Sequence, residues 1–172
     1  MINKKVEKAL NNQVIIEAAS SQAYLAMASW AECNGLNGIA MFLYEHSDEE
    51  RQHMLKLVKF INERGGKAII PQLNQPTNTF KGVRDIFTSL LRHEINVTKE
   101  IHEVVDVCLK EKDYTTHNFM QWFVSEQIEE EALARNIMDK IELIGDDKGG
   151  LYLFDRDLEK LSSVTNNDSS EK

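Results

Sequence analysis

EERQH at residues 49–53 and EQIEE at residues 126–130 are two versions of one pattern, each set at the same distance from an earlier glutamate. Glu17 precedes Glu50 by 33 positions, and His53 follows three further on. Glu94 precedes Gln127 by 33 positions, and Glu130 follows three further on. Residues three apart on a helix share a face. Each half therefore supplies one side chain from a first helix and a pair from a second. Folding the halves together brings six metal-type groups to a common centre. Helical bundles hold two metal ions in this way, with one Glu from each of two helices and a Glu-x-x-His from each of the other two. The first half meets that description, and the second offers Gln-x-x-Glu in its place.

The surrounding sequence predicts long helices. One amphipathic pattern covers residues 4–33, with Asn3 as its N-cap, and ends before Gly35. A second runs from about 38 to 64 and stops at Gly65 and Gly66. A third covers roughly 83–111, and a fourth runs from about 115 to 144, ending at Gly145. The only prolines, Pro71 and Pro76, fall in the 65–82 connection, so nothing breaks the helices from within. Each helix is about 40 Å long at 1.5 Å per residue. Short links make two antiparallel hairpins, and the 65–82 segment is long enough to cross the bundle. The expected fold is all-α: a four-helix bundle with one long crossover. A short fifth C-terminal helix at 151–163 carries Leu151, Leu153, Phe154, Leu158 and Leu161. Those apolar residues require a docking surface, and another subunit is a reasonable candidate. One domain is expected over residues 1–165, with a polar, frayed tail at 166–172.

Read at alternating steps of three and four, every seam is apolar near its ends and polar at mid-length. The polar positions are Glu17, Glu50, His53, Glu94, Gln127 and Glu130. Four carboxylates in a core, with no Lys or Arg on the same seams, would repel one another at several kcal/mol per buried ion. Bound cations remove that difficulty. A single Glu at a seam's edge can instead reach water, but six groups at matched spacing form a set. One imidazole among several carboxylates is an oxygen-rich donor set that disfavours structural zinc and suits iron or manganese. Glu50 is central and is the natural bridge between two ions. Glu17 and His53 complete one position, and Glu94 and Glu130 the other. Gln127 has no anionic oxygen, so it orients bound water or oxygen, or ligates weakly.

Glu49, Glu126 and Glu129 lie one helical step round from this layer. They read either as a solvated acidic face or as a further iron site that shares Glu130. Tyr24 follows Glu17 by two turns and Trp122 precedes Gln127 by just over one. Each reads as an electron donor, as a hydrogen-bond donor to a ligand, or as plain core. His46 reads as a core histidine rather than a ligand, and His93, His102 and His117 show no partner spacing.

At 172 residues with a net charge of −8, the chain is expected to be a single domain whose main partner is neither nucleic acid nor an anionic membrane. Cys33 and Cys108 form no CxxC pair and suggest no disulfide framework. The start, MINKKVEKALNNQ, has no apolar signal-peptide core, and no run is long enough to span a membrane. A cytoplasmic location is expected.

At these residues the chain resembles the bacterial non-haem ferritins. The resemblance rests on Glu17 with Tyr24, EERQH at 49–53, Glu94 after LLRH, SEQIEEE at 125–131 and the final LYLFDRDLEKL. It implies a ferroxidase that stores iron: O₂ or peroxide oxidises Fe(II) to Fe(III) at a di-iron centre, and ferric oxide mineral is deposited inside a cage of twenty-four identical subunits. In the family, positions matching Glu17, Glu50 and His53 hold one iron, and those matching Glu94, Glu130 and the bridging Glu50 hold the other. Positions matching Glu49, Glu126, Glu129 and Glu130 form a third iron site, and Tyr24 lies beside the centre. The final helices meet at the four-fold axes. Bacterioferritins carry a haem-ligating Met directly after the Glu of the first pair, where this chain has Arg51, so no haem is expected. Rubrerythrins add a CxxC-bearing iron domain that is missing here. The fourth helix begins Thr115-Thr116-His117-Asn118, unlike the acidic start of the animal members. Two rival readings are a slow or non-catalytic metal-buffering cage and a di-iron oxygenase acting on an organic substrate. The intact polar layer counts against the first, since a scaffold would gain stability from apolar residues there. The missing second His counts against the other.

Overall fold

Asn3 accepts a hydrogen bond from the Lys5 amide at 2.8 Å, which satisfies one of the free donors at the start of a helix. From there α1 runs Lys4–Cys33, followed by α2 (Asn37–Glu63), α3 (Val83–Lys110), α4 (Tyr114–Ile144) and α5 (Lys148–Asp168). This computed structural model describes the backbone of residues 2–168 and side chains as far as Glu159. All described regular structure is helical. The helix ends fall close to the expected ones, with one exception. α5 begins three residues earlier and continues to Asp168, well past the expected stop at 163. Its early start has a local cause: the Asp147 carboxylate accepts from the Gly149 and Gly150 amides at 3.2 and 2.9 Å. Part of the expected tail, residues 169–172, lies outside the described residues, as does the side chain of Leu161.

The α1–α2 link turns through Gly35 at φ +74°, and the α3–α4 link through Lys112 at φ +56°. Both are too short for anything but antiparallel neighbours, and residues 64–82 return the chain along the bundle. Helix α1 packs closely on α2 and α3, and α3 on α4. The backbones of α2 and α4 approach less closely, and large side chains close that seam. Phe60 stacks on Phe119 with centroids 3.7 Å apart, Arg64 pairs with Asp113 at 3.1 Å, and the Lys56 ammonium sits 3.1 Å from the centre of the Trp122 ring.

The apolar core is divided in two. One half gathers Met27, Leu43, Phe87 and Ile137 with Phe154 and Leu158 of α5. The other gathers Leu10, Leu57, Ile101 and Phe123 at the opposite end. Between them lies the polar layer that the seams predict. Helix α5 differs from expectation in its partner. A Cβ at Gly38 would lie 1.8 Å from the Asp155 carbonyl oxygen, so only glycine lets α5 lie against the start of α2. The Asp155 carboxylate accepts from the Ile39 amide at 2.9 Å, capping a helix whose own N-cap residue makes no such bond. Phe154 and Leu158 are buried in their own bundle. The apolar residues of α5 therefore have a surface within the chain, while Tyr152 and Leu153 remain exposed on its outer side.

Candidate metal centre

Glu17, from the middle of α1, and Glu50 and His53, from the middle of α2, are all buried. His53 Nδ1 stands 3.8 Å from Glu17 Oε2 and 3.7 Å from Glu50 Oε2. These separations are too long for hydrogen bonds. They match donors around one cation, since bonds of about 2.1 Å opened to about 120° place neighbouring donors about 3.6 Å apart. The same two carboxylate atoms, Glu17 Oε2 and Glu50 Oε2, are buried, and with both carboxylates ionised neither has a hydrogen-bond partner; a proton held by the pair would be shared between Glu17 and Glu50. An orphaned carboxylate oxygen is costly unless a cation meets it. The atoms that lack partners are therefore the atoms that converge. Trp122 and Phe123 contact the His53 ring edge-on at 5.2 and 6.1 Å and hold it in place.

The electrostatics agree with the geometry. Burial, reinforced by repulsion from Glu50, pushes the Glu17 carboxyl well above its ordinary range. Glu50 is pushed up to about 7, chiefly by burial; a hydrogen bond with Glu17 opposes the rise, and Glu130 and Glu49 add repulsion. Without a cation, the layer holds protons that free carboxylates would release.

The second hairpin is arranged differently. Gln127 Nε2 donates to Glu94 Oε2 at 3.1 Å, and lies 3.2 Å from both the Glu94 carbonyl oxygen and Thr98 Oγ1. Tyr24 donates its hydroxyl to Glu94 Oε1. Both oxygens of Glu94 are thus occupied by protein donors. Burial still lifts this carboxyl to about 8, opposed by the Gln127 hydrogen bond and aided by Glu130 and Glu17. Glu94 and Glu130 do not come together with Glu50 as a tight three-donor group. Among the described residues such groups are Glu17–Glu50–His53 and His46–Glu49–Glu130.

That second group contains His46, whose seam position reads as core. His46 Nδ1 lies 2.9 Å from the Phe42 carbonyl, which makes it the protonated nitrogen and leaves Nε2 as the free donor atom. Nε2 faces Glu130 at 3.7 Å and Glu49 at 3.9 Å. Its spacing of three from Glu49 was the available signal, obscured because it also lies one turn before Glu50 on a core seam. Glu126 and Glu129 join His46, His53, Glu49 and Glu130 around a cavity of about 550 Å³ on the α2–α4 seam. The expected outer carboxylates thus share one opening beside the buried layer. His93, for which no partner was expected, lies 2.7 Å from Ser20 Oγ and edge-on to Tyr24 at 5.8 Å.

The arrangement can hold a hard divalent ion between Glu17, Glu50 and His53. It can offer a second position at Glu94 and Glu130 once the donors on Glu94 turn aside, and it meets the surface through an acidic opening. The ferritin-like domain family matches residues 7–144 of the chain. A bacterial non-haem ferritin of Campylobacter jejuni is 43% identical over 162 residues, covering 94% of this chain and 97% of that protein. One from Staphylococcus saprophyticus is 37% identical over 158 residues, covering 92% and 95%. The open pore ferritin of the archaeon Archaeoglobus fulgidus superposes with a TM-score of 0.91 at 40% identity, covering 92% of this chain and 98% of that one. With the fold, the divided core and the carboxylate layer already established, these likenesses settle the family: the chain is a member of the ferritin family, among the bacterial non-haem ferritins.

Proposed function

We propose that this protein is an iron-storage ferroxidase. Residues 1–165 act as one ferritin-like unit that assembles into a closed cage of twenty-four copies in the cytoplasm. Fe(II) is the substrate. One ion binds Glu17, Glu50 and His53, and another binds Glu94 and Glu130 with Glu50 as the bridge. Each Fe(II) gives up one electron, and O₂ or peroxide accepts the pair. The carboxylate layer favours Fe(III) because its negative charge is better balanced by the higher cation charge. Tyr24 and Gln127 hold the Glu94 carboxylate until the second ion arrives. The outer group of Glu49, Glu126, Glu129 and Glu130, with His46 facing it, takes a third ion and passes oxidised iron toward the mineral. No haem takes part.

The observation that carries this reading is the pair of orphaned carboxylate oxygens converging on His53 Nδ1 in a buried layer. No apolar-core function accounts for them, and a cation satisfies both at once. The test is a pair of variants. Glu50→Ala removes the shared bridge and should slow the initial oxidation of Fe(II) by about 100-fold or more, above the usual loss on removing a group that only supports a ligand. Glu129→Ala should leave the initial phase intact and alter only later turnovers. Equal, slight effects from both would contradict the assignment.

A further inference from the structure

Among the described residues, three buried side-chain oxygens lack hydrogen-bond partners, and two of them belong to Glu17 and Glu50. The third is Gln13 Oε1. Gln13 lies one turn before Glu17 on α1, is 1% exposed, and donates from Nε2 to Glu17 Oε1 at 2.7 Å. The hydrogen bond engages one oxygen of Glu17 and leaves the other, Oε2, as the atom that faces His53 Nδ1. With the amide turned the other way, its carbonyl oxygen would oppose an ionised carboxylate, so the observed orientation suits the charged, ion-holding form. A buried glutamine with its own acceptor unpaired is a poor choice for stability.

We propose that Gln13 is a positioning residue for the first ion, fixing the Glu17 carboxylate so that Oε2 alone is presented. This rests on the reading of Glu17, Glu50 and His53 as an ion site. A supporting hydrogen bond of this kind orients a metal ligand without touching the metal. The spacing pattern conceals it, because Gln13 occupies a seam position and carries no charge.

The test is Co(II) titration of the metal-free protein, followed by calorimetry and by the visible bands of the bound ion. Gln13→Met keeps the length of the side chain and removes the donor. It should weaken the first Co(II) by about 10–100-fold and shift its bands, while leaving the second-ion affinity unchanged. Gln13→Leu, which also removes the donor without adding a charge, should do the same and serves if the Met variant folds poorly. Glu17→Ala provides the reference. Loss of the first ion in Glu17→Ala, with unchanged affinity and bands in Gln13→Met, would overturn the role of Gln13 alone. An intact first ion in Glu17→Ala would overturn the site itself and this proposal with it. Equal weakening of both ions in Gln13→Met would make the residue merely structural and overturn the proposal.

Discussion

The two hairpins carry the same spacing but are set up differently. In α1–α2, Glu17 and Glu50 keep one carboxylate oxygen each without a partner, both directed to His53. In α3–α4, both oxygens of Glu94 are held, one by Tyr24 and one by Gln127. The difference comes from the two donors that meet Glu94, Tyr24 and Gln127. A glutamate at 127 would only accept hydrogen bonds, whereas glutamine donates one and ties Glu94 down. The first hairpin is thus prepared for a cation before one arrives. The second is satisfied by its own protein and must give up hydrogen bonds to take one. Two positions of unequal readiness favour ordered filling, with Glu17, Glu50 and His53 occupied first.

The largest effect should come from removing a ligand on one side only. Glu17→Ala should abolish the tightest Co(II) or Zn(II) binding event, measured by calorimetry, while Glu94→Ala should leave the tightest event in place and remove a weaker one. Loss of the tightest event in Glu94→Ala would reverse the order of the hairpins.

The next effect is on pH. Glu50 and Glu94 have folded-state values raised to about 7 and about 8, and Glu17 is raised as well. In the unfolded chain these groups ionise near 4.5, so between that value and about 8 the folded state holds more protons. Stability must then fall as pH rises through this window. The acids whose values are lowered, such as Asp113 paired with Arg64, are ionised in both states above pH 6 and contribute no slope there, and His93, whose value burial lowers from 6.5, opposes the fall only at the lower edge of the window. Metal-free protein should therefore melt about 5 °C or more lower at pH 8 than at pH 6, and saturating Zn(II) should reduce the difference. An equal or higher melting temperature at pH 8 would mean that the layer is not strained by its own charge.

A smaller effect should follow from Tyr24→Phe, which frees Glu94 Oε1 while preserving the ring. It should change second-ion affinity by about 10-fold and leave the first event untouched. A change in the first event would show that Tyr24 serves both hairpins.

Much of this was legible in the sequence, for a physical reason. Helix periodicity and the near absence of proline fix four long helices, and a polar stretch in the middle of each seam leaves little choice about where the carboxylates meet. Other features depend on contacts that no local pattern contains. Asp155 caps α2 from more than a hundred residues away, and Gly38 is needed only because α5 crosses there. His46 looked like core because seam position does not reveal which ring nitrogen the Phe42 carbonyl engages. Gln127 was expected to serve a bound water or oxygen, or to ligate weakly. Its donation to Glu94 becomes visible only when α3 and α4 are placed side by side. Spacing alone suggests two equivalent halves, and hydrogen-bond direction is what separates them.

The most direct test is to add a few Fe(II) per subunit to metal-free protein in air, following near-ultraviolet absorbance and O₂ consumption against a protein-free control. Rapid oxidation that saturates near two Fe(II) per subunit, with O₂ uptake in proportion, is the expected result. Oxidation no faster than in the control would contradict a ferroxidase layer and leave a ferritin fold that only buffers metal.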